Sequence, residues 1–147
     1  MTDSSALIDE MLAARNIAVV GMSDKPHRAS YNIGRYLGEH GYRIFPVNPA
    51  LHDIDGHSVY ATLDDAQAAA REQTGQGIDL VDVFRASEHV PPIVDDVIRL
   101  GIPYLWLQDG VAHGEAVARA RAAGVKCVQN DCIYREHAKR PGLHASP

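Results

Sequence analysis

The stretch NIAVVGMSDKPHRASYNIGRYLGEHGYRIFPVN, residues 16–48, decides the fold. Its apolar run over 17–20 shows no polar alternation, as befits a strand buried on both faces of a parallel sheet. The run breaks at Gly21, and a polar loop with two cations, Lys25 and Arg28, follows. A helical segment over 30–40 comes next, with Ser30 as its expected N-cap and Ile33, Tyr36 and Leu37 as its apolar residues. Gly41 stops that helix, and a second apolar run over 43–47 ends at Asn48 and Pro49. Strand, loop, helix and strand in this order make a βαβ unit whose first turn is shaped to meet an anion. Gly34 and Gly38 lie on one face of the helix, which predicts close approach of helix and sheet.

Upstream, Leu7, Ile8, Met11 and Leu12 trace one face of a helix over 4–15, with Ser4 or Ser5 as its cap and Asn16 as its end. Downstream, residues 50–62 read as loop, with a turn at Gly56 and a short strand over 58–60. Thr62 caps an alanine-rich helix over 64–72. A strand over 78–84 contains two aspartates. A helix carries Val90, Ile93, Val94, Val97 and Ile98 and stops at Gly101. Strands over 104–107 and 125–128 flank a helix over 115–123. Residues 133–147 add one helical turn and a Pro/Gly tail, frayed over 141–147.

Alternation of this kind calls for an α/β fold: a Rossmann-like open parallel β-sheet with helices on both faces, three layers αβα, joined by right-handed crossovers. No repeat or linker divides the chain, so all 147 residues are expected to form a single domain. Ligands of such folds sit beyond the carboxyl ends of the strands. The expected site is therefore built from loops 21–31, 48–51, 84–89, 108–113 and 129–133.

Bulk properties narrow the function. A hydrophobic fraction of 46% with 22% charged residues is that of an ordinary globular protein. A net charge of -5 argues against nucleic acid as a partner. No apolar run approaches the roughly 20 residues that cross a bilayer, so no membrane association is expected. The N-terminus lacks a basic region followed by an apolar core, so a cytoplasmic location is expected, with Cys127 and Cys132 as reduced thiols.

The first loop excludes the commonest nucleotide sites. A nicotinamide-dinucleotide site shows G-x-G-x-x-G here and an acidic residue at the end of the second strand. Residues 21–26 keep only the first glycine, and the second strand ends without a carboxylate. No Gly-Lys-Ser/Thr follows, so it is not a Walker loop either. What remains is Ser23, Ser30 and backbone donors at a helix N-terminus, with Lys25 and Arg28 beside them, a set suited to more than one phosphate.

The combination of G-M-S-x-K-P-x-R-x-S-Y, P-V-N-P, V-F-R, W-L-Q-x-G and a late D-C resembles the stand-alone CoA-binding domain proteins. These are similar in turn to the CoA-binding domain of the succinyl-CoA synthetase alpha subunit. The resemblance runs from about residue 17 to 137 and implies a domain that binds coenzyme A, free or acylated. It implies that Gly21, Ser23, Lys25, Arg28, Ser30 and Tyr31 face the phosphates, with Met22 in the same turn. It places Asn48 and Pro49 at the border of the nucleotide, Arg85 and Ser87 near the adenine side, and Gln108 near the pantetheine path. The ligases carry a lysine shortly after the second strand. Ala50 stands near that position here, leaving Arg28 or Lys25 as the phosphate contact. The ligases also need a second domain with a phosphorylated histidine and a nucleotide-grasp partner, for which 147 residues leave no room. The expectation is a binding module without catalytic machinery of its own: a sensor, a carrier or a thiol-protecting protein, with a protein partner left open. The alternative is a redox or acyl-transfer enzyme component using the same pocket, with Cys132 or Asp109 as the reactive group. A third reading is a structural subunit with a vestigial pocket.

Eight histidines show no metal-ligand spacing, so they are expected to be scattered surface residues. Cys132 falls just after the last strand, where it can act as a redox thiol, pair with the thiol of a bound CoA, or simply pack. Cys127 is expected in the core.

Overall fold

Five consecutive residues of strand β1 (Asn16–Val20) are buried, because helices cover the sheet on both sides. The computed structural model describes residues 2–143. Strand β1 pairs in parallel with β2 (Arg43–Val47) on one side and with β5 (Leu80–Val83) on the other. Beyond β5 lie β6 (Tyr104–Leu107) and β7 (Lys126–Val128), also parallel, giving the order β2-β1-β5-β6-β7. The fold is the expected Rossmann-like open sheet. The chain leaves β1 toward β2 and then crosses back to β5, so the switch point lies at the carboxyl ends of β1 and β5.

Alternation along the strands sorts the core into two layers. Ala18, Val20, Val81, Val83, Leu105 and Leu107 pack with helices α3 (Leu63–Thr74), α4 (Val90–Leu100) and α5 (Gly114–Ala122). Ile17, Val19, Leu80 and Trp106 face α1 (Thr2–Met11), α2 (Ala29–Glu39) and α6 (Ile133–Ala138), which contribute Met11, Leu37 and Ile133. Trp106, the single tryptophan, is fully buried and donates its indole N–H to the Asp131 carbonyl at 2.9 Å. Trp106→Phe removes that bond and strands the carbonyl, so it is expected to cost about 1–2 kcal/mol in urea unfolding followed by circular dichroism. An unchanged midpoint would remove the hydrogen bond from the account. No described helix is long and apolar enough to cross a membrane.

Several boundaries differ from the sequence expectation for identifiable reasons. Helix α1 spans Thr2–Met11, so Ser4 and Ser5 lie inside it rather than capping it. Asn16 does not end that helix; it opens β1, and its buried amide donates to Thr74 Oγ1 and to the carbonyls of Gln76 and Gly77. Asp79 falls outside β5, because its carboxylate accepts the Arg15 and Asn16 amides at the foot of β1. The short strand expected over 58–60 is a hairpin instead, β3 (Asp53–Ile54) with β4 (His57–Ser58), while Tyr60 bridges to Val47. Asp55 and Gly56 both have positive φ, the Asp-Gly signature of a tight hairpin turn. In the tail, Leu143 packs on the α1/α2/α6 layer and its carbonyl lies 3.0 Å from His137 Nε2, so residues 141–143 are docked rather than frayed. The remainder of the tail, 144–147, lies outside the described residues.

Candidate functional site

The turn after β1 is held from three sides. Gly21 adopts φ +86, and its amide donates to the Val47 carbonyl at 2.8 Å. A Cβ on Gly21 would sit 2.8 Å from the Phe84 carbonyl oxygen and 2.9 Å from Arg85 Cδ. The ends of β1, β2 and β5 therefore meet at a residue that must be glycine, with the Arg85 side chain lying across it. Met22 is buried, and its thioether fills the notch left by Gly34, where a Cβ would come within 2.6 Å of Met22 Cε. The close approach expected of the two helical glycines is thus to side chains, Met22 at Gly34 and Ile44 at Gly38.

The rest of the loop is braced from within. The Ser23 amide donates to Ser30 Oγ at 2.9 Å, and Ser23 Oγ accepts from the Lys25 amide at 3.0 Å. Ser30 is therefore not the N-cap of α2. Arg28 holds that position in an extended conformation, because the Ser30 hydroxyl is used one turn further back in the chain. The Arg28 side chain makes no capping bond to α2, so the N-cap side chain satisfies none of the N–H groups of its first turn. Asn48 Nδ2 donates to the Met22 carbonyl at 3.0 Å and Asn48 Oδ1 accepts from Ala50 N at 2.9 Å, tying the loops after β1 and β2 together. Pro49 is exposed beside it.

Charge is concentrated here. Among the described residues Lys25, Arg28 and Arg85 make no ion pair, as is also true of Arg15, Arg43, Arg71 and Arg121 elsewhere, whereas Arg99, Arg119, Lys126, Arg135 and Arg140 do. Against them stand Asp24 and Glu88, so the three cations and two carboxylates give the loops after β1 and β5 a local +1 on a chain of net -5.

Other expected residues have structural employment. Ser87 Oγ accepts from the Ala112 amide at 3.0 Å and donates to the Gly110 carbonyl at 3.4 Å, joining loops 84–89 and 108–113. Gln108 is buried, and its Oε1 accepts from the Ile133 amide at 3.1 Å. Tyr31 is buried too, and its hydroxyl donates to Asp55 Oδ2 at 2.5 Å, toward the hairpin rather than the loop after β1. Asp109 is exposed and gripped by both Arg135 guanidinium nitrogens at 2.9 and 3.0 Å, which hold its carboxyl below the usual range. Cys132 is buried at the N-cap position of α6. Cys127 is core, as expected, with its thiol pushed up to about 11 by burial.

Sequence reasoning missed the partnership of Tyr31 with Asp55. The signal for the hairpin was present in Asp55-Gly56, but nothing in the sequence pairs its tip with α2.

A family model described as a CoA binding domain matches residues 15–138. The chain belongs to the CoA-binding domain family. The Bacillus subtilis (strain 168) protein YneT, described as uncharacterized, is 32% identical over 136 residues, covering 92% of this chain and 95% of YneT. A hypothetical protein from Pyrococcus horikoshii OT3 has a solved structure that superposes with a TM-score of 0.82 at 32% identity, covering 94% of this chain and 92% of that one. A dinucleotide-forming acetyl-coenzyme A synthetase 1 from Ca. Korarchaeum cryptofilum is 21% identical with a TM-score of 0.65. That match covers 84% of this chain and 28% of the synthetase, and it shows a shared fold.

Proposed function

We propose that this chain binds coenzyme A, or an acyl-CoA, as a cytoplasmic module without catalytic machinery of its own, acting as a sensor, carrier or thiol protector. The observation that carries this reading is the set of uncompensated cations, Lys25, Arg28 and Arg85, around the N-terminus of α2 and the tightly held Gly21. Membership of the CoA-binding domain family supports the choice of ligand. The diphosphate lies over the turn from Gly21 to Ser30, where backbone donors and two cations converge. Arg85 and Ser87 lie on the adenine side. The position after β2 is Asn48, whose amide is committed to the Met22 carbonyl, which supports CoA over a dinucleotide that needs a ribose-binding carboxylate.

Calorimetry with CoA, acetyl-CoA, NAD and NADP tests the reading, and tighter binding of NAD than of CoA would overturn it. Arg28→Ala is expected to weaken CoA binding by about 1.5–3 kcal/mol through loss of a charge-assisted phosphate contact. Because Arg28 is exposed and its side chain is bonded to nothing among the described residues, the variant's unfolding midpoint should match the parent's. Unaltered affinity would take Arg28 out of the site.

A further inference from the structure

A groove of about 680 Å³ lies between α2, the face of edge strand β2 and the β3–β4 hairpin, with Ile44, Pro46 and Ile54 as its apolar floor. It does not continue the loop after β1. The Met22 thioether fills the notch at Gly34, where a Cβ would come within 2.6 Å of Met22 Cε, and so occupies the end nearest that loop. The space that remains lies beside Gly38, where a Cβ would meet Ile44 Cγ1 at 3.7 Å. Ile44 is the second residue of β2, so this space is toward the amino end of the strand, whereas nucleotides of such folds sit beyond the carboxyl ends. Nor is it a place for a further strand. Pro46 has no N–H to offer, and its carbonyl already accepts from the Tyr60 amide at 2.9 Å. What the walls offer is ring surface and negative charge. Tyr31 and Tyr42 line the groove with their hydroxyls committed, to Asp55 and to the Leu12 carbonyl, which leaves their rings to a ligand. The outer wall, residues 51–59, carries Asp53 and Asp55 and no lysine or arginine. On α2, Arg35 faces Glu39 at 3.6 Å and feels the Asp55 carboxylate as well, so one guanidinium stands against two carboxylates.

We infer that this groove is a second ligand site, separate from that of the coenzyme, and that it takes a small organic cation. Its ammonium group sits at Asp55 and Glu39, and its apolar body lies over Ile44, Pro46 and Ile54. Each part of the lining selects for one part of such a ligand. The carboxylates accept charge-assisted hydrogen bonds from ammonium N–H groups. The Arg35–Glu39 pair is exposed and contributes little to stability, so Glu39 can turn to the ligand at small cost. The two tyrosine rings favour a cationic head over a neutral or anionic one. The floor takes the apolar body out of water, and the volume is that of a small-molecule site. With histidine neutral the lining is net negative, so it repels an anion of the same shape, phosphates included. Charge and place therefore separate this site from the loop after β1, which gathers Lys25 and Arg28 at the other end of Met22.

Titration of the isoleucine-methyl-labelled chain with phenethylamine, phenethyl alcohol and hydrocinnamate tests the assignment by nuclear magnetic resonance. The three probes share one body and carry a cationic, a neutral and an anionic head. Shifts are expected at the methyls of Ile44 and Ile54. The amine should bind at least about fivefold tighter than the alcohol, with the carboxylate weakest. Asp55→Asn combined with Glu39→Gln removes both charges. Asparagine keeps an acceptor for the Tyr31 hydroxyl and tolerates the positive φ at position 55, and Glu39 is exposed, so the fold is held. In that variant the amine should fall to the level of the alcohol while the alcohol is unchanged. Gly38→Leu places a side chain in the open part of the groove and should weaken the amine and the alcohol alike. An amine that binds the parent no tighter than the alcohol does, or not at all, overturns the inference. So does a preference that survives in the double variant, or shifts centred away from Ile44 and Ile54. Loss of the amine's shifts on adding CoA overturns the separation of the two sites.

Discussion

Gly21→Ala is expected to destabilise the chain by about 2–5 kcal/mol and to weaken CoA binding by at least tenfold in the fraction that folds. Two costs combine. A left-handed backbone at φ +86 costs an alanine roughly 1–2 kcal/mol. Its Cβ also lands 2.8 Å from the Phe84 carbonyl oxygen, a backbone atom that cannot swing aside, and displacing packed structure costs about 1–3 kcal/mol. The displaced atoms border the proposed site, since Arg85 follows Phe84 and the Gly21 amide is the link to Val47 at the end of β2. A control separates the two costs. Gly75 has φ +79, and a Cβ there would meet nothing within 4 Å, so Gly75→Ala carries only the backbone term. Urea unfolding of the two variants should therefore differ by about 1–3 kcal/mol. Equal midpoints would mean that the close approach of β1 to β5 carries no energy.

That close approach also marks how far the sequence could be read. The apolar runs of β1 and β6 announced a parallel sheet, and Gly21 announced the turn, because burial on both faces and a positive φ leave local marks in composition. The cations of the first loop were legible for the same reason. Contacts across the fold were not. Ser30 looked like an N-cap because the residue type favours that place, yet its hydroxyl is taken by Ser23 and the helix opens with Arg28 as its N-cap. Gln108 and Ser87 looked like free polar groups near a mouth, whereas each bonds a backbone more than twenty residues away. Tyr31 shares a short motif with the loop after β1 but turns to Asp55 at the tip of a hairpin that no sequence signal pairs with α2. Polar residues in loops declare their chemistry in sequence and their partners only in three dimensions.

Asp82→Asn is expected to flatten the pH dependence of stability above the carboxylate range, where the parent should lose stability as pH rises. Asp82 lies in the centre of β5, opposite Val19 and Trp106. It is fully buried, and neither carboxylate oxygen has a hydrogen-bond partner among the described residues. Burial pushes its carboxyl well above the ordinary value, so the folded chain keeps the proton that the unfolded chain releases from about pH 4 upward. The sign follows: stability is fully present below the unfolded value and declines as pH rises toward the folded one, by about 1.4 kcal/mol per pH unit while the folded chain holds one more proton. Glu10, Asp64 and Asp109 act in the other direction, since Lys126, Arg99 and Arg135 lower their values, but they are exposed and their window lies at lower pH. Asparagine has the same shape and no proton to lose. The two proteins should therefore be alike within about 1 kcal/mol at pH 4, with the variant's advantage growing steadily above it. Urea midpoints from pH 4 to 8 make the comparison, and a constant difference across that range would mean that the carboxylate finds a partner in solution. The position gives the cost its interest. The strand that carries this buried acid leads directly into Phe84 and Arg85 against Gly21, so the destabilisation at Asp82 falls on the strand that positions the proposed phosphate-binding loop.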